Sequence, residues 1–406
     1  MLKKSRKYTL LLVMVFLAAT LLAAGCGGSN NTADTEGEDT APKVVKLGFL
    51  SPITGPNSAE GAAARNAFQM AIDAANKSGE FPYTIEVIII DDASKPEVGA
   101  AGAQQIVSDE LVVAATGHWN SGVAEATIPI FKQAEIPLLI WGAIREGLTS
   151  PENYPYITRS APTAAQENEP LANKLIKEMG YKKWFIVSDV TSYGEANTEV
   201  FSKMIADMGG ELLGTEKVQE GTVDFRPIIQ KIKSSGATAV YFGGVVTEAS
   251  LLKNQMTEAG MTDVLFAGIS GIYSDDFLKI GAKAAEGALA IKPGIDPSKT
   301  PEGQKFLADY AAGGYSEPVG AFTPYAYEAA LILLNALKQC GDNPTPAKMI
   351  DAIKDSETTG IMGTTTFNEY GQTNNVAAYM LVVQDGKWVP FDESEYANGT
   401  RTLPQP

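Results

Sequence analysis

From residue 44 to residue 268 the chain repeats one unit: a short β-branched run, a loop, and an Ala-rich amphipathic stretch. Strand-like runs fall at 44–50, 83–91, 112–116 and 137–141, with helical stretches at 61–78, 96–110 and 122–134 between them. Runs apolar on both faces that alternate with helices argue for a parallel sheet covered on both sides. After 156–159 the unit restarts. Helices are expected at 164–179, 194–208, 225–235 and 251–259, and strands at 183–188, 211–218, 239–243 and 265–268. The expected fold class is α/β, with two doubly wound, Rossmann-like lobes. Similarity between the two runs is too weak to define a repeat.

The last third changes character. A strand at 287–292 precedes helices at 301–311, 325–339 and 345–355, and strands at 379–384 and 387–390 flank Asp385-Gly386, a two-residue hairpin signal. This block is too small for a domain of its own and must return to the earlier lobes. A chain that crosses between lobes more than once builds a multi-strand hinge. The expected boundaries are 43–159 plus 288–370 for one lobe and 160–287 plus 371–406 for the other.

Composition narrows the function. With 48 Asp+Glu against 32 Lys+Arg, a formal charge of −16 argues against a nucleic-acid partner, which needs a basic face. One His and two Cys leave no two-histidine zinc helix, no four-thiolate site and no disulfide framework. Asp91-Asp92 and Asp275-Asp276 lack the spacing of a calcium loop, so no metal and no cofactor are expected. G-x-S-x-G, G-x-G-x-x-G after a strand, and a P-loop are all missing; the expectation is a protein that is not an enzyme.

The first residues read as an export signal. Lys3, Lys4, Arg6 and Lys7 precede an uncharged apolar run, and small residues lead to Gly25-Cys26. The ending resembles a bacterial lipoprotein signal, with 1–25 removed and Cys26 lipidated, although Ala23 stands where Leu is commonest. Residues 26–42 are small, polar and acidic, as expected of a disordered tether. The expected location is extracytoplasmic, anchored by lipid to the cell membrane.

Ligands of open α/β sheets bind beyond the carboxyl ends of the strands, which here are the loops 51–60, 116–121, 141–145, 188–193, 243–248 and 268–275. These loops carry a family resemblance. The strings KLGFLSPITGP at 46–56, IDDA at 90–93, GHWNSG at 117–122, SDVTSYGE at 188–195 and YFGG at 241–244, with GAF at 320–322, occur in the order found in the leucine/isoleucine/valine-binding family. These are type I periplasmic binding proteins that serve branched-chain amino-acid ABC transporters. The resemblance covers about 43–388. It implies two lobes closing over one small polar ligand, a monomer, and ABC permease subunits as partners.

Site residues carry over one at a time. Ser121 stands at the family's carboxylate-binding serine, with Asn120 before it; a hydroxyl at a helix start is also what a plain helix cap requires. Ala143 matches a position that offers backbone groups to the ligand, and Ile144 follows. Arg145 replaces a carboxylate-binding threonine, and is either a bidentate acid ligand or a rim arginine. Tyr193 matches a pocket tyrosine.

Three positions depart from the family. Ser270 falls where an acidic residue meets the ligand's ammonium group, Val245 where a second tyrosine is usual, and Glu60 where an aromatic ring covers the ligand. Glu60 either supplies the missing negative charge or lies exposed on a loop. Trp119 and Trp141 form an apolar wall or belong to the core, and His118 is expected to be structural. The departures at 245 and 270 leave open amides, urea-like compounds or aromatic acids as ligands in place of a branched-chain amino acid or related small carboxylate. They also leave open a sensing role beside uptake.

Overall fold

The computed structural model describes residues 43–406; the expected signal, the lipidated Cys26 and the tether lie outside the described residues. The first sheet is five-stranded and parallel. It contains β1 (Val44–Ser51), β2 (Thr84–Asp91), β3 (Val112–Gly117), β4 (Leu138–Ile140) and β5 (Ile157–Arg159) in the order β2-β1-β3-β4-β5. Helices α1 (Ser58–Ser78), α2 (Pro96–Val107) and α3 (Ser121–Gln133) connect the first four strands. β3 and β4 are buried at every residue, as expected of strands covered on both faces.

After α4 (Ala164–Ala172) the second sheet begins. It contains β6 (Lys183–Asp189), β7 (Glu211–Val218), β8 (Ala239–Gly243), β9 (Leu265–Gly268) and β10 (Leu289–Pro293). The intervening helices are α5 (Ser192–Asp207), α6 (Arg226–Ser235), α7 (Val246–Glu258) and α8 (Asp275–Gly281). Its parallel strands run β7-β6-β8-β9-β10. Counted within each lobe, both sheets follow the order 2-1-3-4-5, a doubly wound arrangement with its switch point between the first and third strands.

β10 corrects the expected boundary at 287/288. Its residues pair with β9 on one side and with β13 (Ala378–Gln384) on the other, so 289–293 belong to the second sheet. It is that sheet's fifth strand, as β5 is the first sheet's. The chain then returns to the first lobe as α9 (Pro301–Ala312), α10 (Thr323–Cys340) and α11 (Pro346–Lys354), with α10 packed along α1. A small hairpin follows, β11 (Thr358–Gly360) with β12 (Gly363–Thr365). β13 and β14 (Lys387–Pro390) close the second sheet antiparallel, around Asp385 and Gly386 at φ 52° and 71°. Positive φ at both positions is what a type I′ turn demands.

The helix expected over 164–179 is divided. Pro170 has no N–H to give, and after Ala172 the chain continues as a π-helix over Asn173–Glu178.

The chain passes between the lobes three times, after β5, after β10 and before β13. Two passages are stitched together. Arg159 N donates to Gly371 O at 2.8 Å, Thr373 N donates to Arg159 O at 2.9 Å, and the Arg159 Nε bonds Gln372 Oε1 at 2.6 Å. No helix among the described residues is long and apolar enough to cross a membrane.

Candidate functional site

A cavity of about 240 Å³ lies between the two lobes, at the carboxyl ends of their strands. Asn57, Glu60, Trp119, Asn120 and Phe322 form its wall on the first lobe; Asp189, Tyr193, Val245, Ser270 and Tyr273 form the opposite wall. β1, β3, β6 and β8 end here, so the cavity lies at the switch points of both sheets, where a doubly wound fold leaves a crevice. The amino ends of α1, α3, α5 and α7 reach the same space.

Five of the expected site residues line this cavity: Glu60, Asn120, Tyr193, Val245 and Ser270. Glu60 is in the first turn of α1 and not on a loop, and its Oε2 is buried without a partner. Burial pushes its carboxyl up to about 7, against the pull of the Ala321 and Phe322 backbone N–H groups and the Lys292 ammonium. Tyr193 turns its hydroxyl away from solvent to accept from Gly271 N at 3.1 Å, and burial holds the phenol well above its usual range. Val245 precedes α7 in extended backbone. Ser270 opens a 3₁₀ turn, 2% exposed, with an unpartnered Oγ.

The other four do not face the open space. Ser121 is fully buried as the first residue of α3, one position inside the cap, and its Oγ accepts from Arg145 N at 3.3 Å. Ala143 and Ile144 pack into separate apolar clusters of the core. The carbonyls of Ala143 and Arg145 accept from the buried Arg159 guanidinium at 3.2 and 2.7 Å. Arg145 reaches neither cavity nor solvent as a free cation. Its Nε pairs with Glu125 at 2.9 Å, and its Nη1 donates to Ser192 O, across the cleft at the start of α5, at 2.9 Å. It is a tie between the lobes.

The two tryptophans separate. Trp141 is fully buried, 6.0 Å from Phe49 with the rings 2° from parallel, and belongs to the core; Trp119 lines the cavity. His118 is buried in the first lobe, with Nε2 2.7 Å from Thr127 Oγ1 and Nδ1 3.8 Å from Asp92 Oδ2. Asp91 takes the backbone N–H groups of Ile53, Thr54 and Ala93 on one oxygen, fixing the loop after β1.

Three polar residues at the site escaped the sequence. Asp189 is 4% exposed; Thr191 N and Oγ1 both donate to its Oδ1, while Oδ2 has no partner. Its aspartate lay within the string at 188–195, but only the tyrosine of that string stood out. Lys292, at the end of β10, is 7% exposed with its Nζ 4.7 Å above the Tyr273 ring. Glu167 occupies the first turn of α4 with no exposure, and its Oε1 accepts from Ser270 N at 3.1 Å. Nothing in the local sequence distinguished Glu167 from an ordinary acid at a helix start.

The family model described as periplasmic binding protein matches residues 44–387. The chain belongs to that family. Among its relatives, the Leu/Ile/Val-binding protein homolog 3 of Brucella melitensis is 28% identical over 86% of this chain and 94% of its own. The leucine-, isoleucine-, valine-, threonine- and alanine-binding protein of Pseudomonas aeruginosa is 29% identical over 88% and 92%. In fold, the chain is similar to the branched-chain amino-acid transporter substrate-binding protein of Streptococcus pneumoniae in complex with isoleucine. The TM-score is 0.77 at 23% identity, covering 85% of this chain and 98% of that one. A solute-binding protein of an ABC transporter from R. palustris in complex with 4-hydroxybenzoate gives 0.75 at 25% identity, covering 86% and 95%. The periplasmic binding protein fold thus accounts for both lobes of this chain, the cavity between them and the expected type I architecture.

Proposed function

We propose that this protein captures a small solute between its lobes and delivers it to the permease of an ABC importer, without transforming it. The observation that carries this is the cavity between the lobes at both switch points, with buried, unpartnered polar atoms on both walls: Glu60 Oε2 and Asn120 Oδ1 on one, Asp189 Oδ2 and Ser270 Oγ on the other. Each such atom costs free energy until a ligand supplies its partner. A ligand that satisfies both walls stabilises the closed arrangement alone, which is how a population shift produces a delivery signal. The solute is a branched-chain amino acid or a related small carboxylate, in keeping with the relatives' names. Export, lipidation at Cys26 and a tether over 27–42 would hold a monomer outside the membrane, beside its permease.

The aromatic walls Trp119, Tyr273 and Phe322 favour a second ligand class, a small aromatic acid. A thermal-shift and calorimetric screen of the purified protein against the twenty common L-amino acids, small amides, benzoate and 4-hydroxybenzoate tests the proposal. A ligand at a hundredfold excess over its dissociation constant adds about 2.7 kcal/mol to the folded state. If no member of the set raises the melting temperature, solute capture of this kind is the wrong assignment.

A further inference from the structure

The acids at and just behind the cavity wall differ in how they are satisfied. Glu60 has two backbone N–H groups and the Lys292 ammonium near it. Asp189 receives two bonds from Thr191, and Glu248 receives one from Gly221 N at 2.8 Å. Glu167 is the outlier. It has no exposure, Ser270 alone eases its charge, through the hydroxyl beside it and the N–H at 3.1 Å, and its Oε2 has no hydrogen-bond partner. The groups that face it are the phenols of Tyr193 on α5, Tyr241 on β8 and Tyr325 on α10, and its carboxyl is held up to about 7 by burial with no cation to offset it.

An ionised carboxylate so placed is unfavourable unless a positive charge comes to it. The one cavity-lining residue bonded to it is Ser270. That serine's hydroxyl sits beside both the Glu167 carboxyl and the Tyr193 phenol, so it can turn its proton to the carboxylate and keep an acceptor lone pair for the cavity. We infer that Glu167, one layer behind the cavity wall, supplies the counter-charge for an ammonium group of the ligand, acting through Ser270. This rests on solute capture as proposed above, and assigns its ligand to the amine-bearing class. A serine at the wall and an acid behind it do together what an acid at the wall would do alone, and leave more room for the ligand's side chain.

The test uses the tightest binder among the twenty common L-amino acids and its desamino analogue, for example L-leucine and 4-methylpentanoate. Calorimetry with wild type, Glu167→Gln and Glu167→Asp at pH 8 and pH 5.5 gives the readout. Glu167→Gln is expected to weaken the amino acid at least tenfold at pH 8 while leaving the desamino acid within twofold, and Glu167→Asp to keep part of the difference. Wild-type affinity for the amino acid is expected to fall at pH 5.5, where Glu167 is protonated, and the Gln variant to lose most of that pH dependence. The unliganded Gln variant should melt no lower than wild type at pH 8, because it removes an uncompensated buried charge; this separates the role from a structural one. Equal weakening of both ligands, or an unchanged amino-acid affinity, overturns the inference while solute capture stands. Binding of benzoate or 4-hydroxybenzoate with no amino acid bound also overturns it and leaves capture intact. Failure of every probe removes both.

Discussion

At the scale of single residues, the site is held by close approaches that tolerate no extra atoms. Gly194, in the first turn of α5, packs against Asp189, and a Cβ there would lie 2.5 Å from Asp189 O and 2.9 Å from Gly243 O, both backbone. Gly194→Ala should therefore cost about 1–3 kcal/mol by forcing β6, β8 and α5 apart, read as a lower urea midpoint, and should weaken ligand as Asp189 shifts. A midpoint equal to wild type would mean that this backbone yields more readily than its packing implies. Position at the cavity was legible where a short string carried it, as for Tyr193 and Asn120, which line the wall. It was not legible for Ala143, Ile144 and Trp141. These lie at the correct strand end, but residues at a strand end divide between cleft and core, and that division depends on the sheet's twist and covering helices. Glu167 was invisible for another reason: its partner Ser270 is 103 positions away.

At the scale of elements, the start of α4, which carries Glu167, is fixed by its cap. Thr163 and Gln166 form a reciprocal capping box, Gln166 N donating to Thr163 Oγ1 at 3.2 Å and Thr163 N to Gln166 Oε1 at 2.8 Å. Thr163→Ala should lower stability by about 1 kcal/mol, measured by urea unfolding; no change would show that tertiary packing alone sets the helix start. Sequence periodicity located most helices and strands, though not the short β5, α8, β11 and β12, and the Asp385-Gly386 turn was readable outright. It missed the π-helical continuation over 173–178, because a carbonyl-to-amide register is not encoded in hydrophobic spacing. It also assigned β10 to the wrong lobe, since a short apolar strand reads the same in either sheet, and only pairing decides.

At the scale of the whole molecule, two predictions follow from charge. Glu60, Glu167 and Glu328 are each held up to about 7 by burial. A carboxyl whose folded value exceeds its ordinary 4.5 favours the folded state fully below that pH and loses the contribution as pH rises through 7. For one such group the gap is worth about 3 kcal/mol. The unliganded protein should accordingly lose stability between about pH 5 and pH 7.5 in these groups' share, and a triple Gln variant should flatten the profile. An unaltered slope in that variant would assign the pH dependence elsewhere. Separately, Arg145 joins Glu125 to the start of α5 across the cleft. Arg145→Ala should enlarge the radius of gyration of the unliganded protein in solution scattering and weaken ligand severalfold; a variant identical to wild type in both would show that the tie does not bias closure.

The identical strand order of the two sheets, hidden from the sequence, hides a difference in how each is assembled. The strands of the first sheet are all present once Arg159 has been made, yet α10, which covers α1, begins only at Thr323. During synthesis the first lobe must wait, with α1 not yet covered by α10, until the second lobe's parallel strands have been delivered. A nascent chain stopped before Thr323 should therefore be the species that chaperones and proteases recognise. Maturation of this protein is expected to turn on how long the uncovered surface of α1 stays exposed before the last third of the chain arrives.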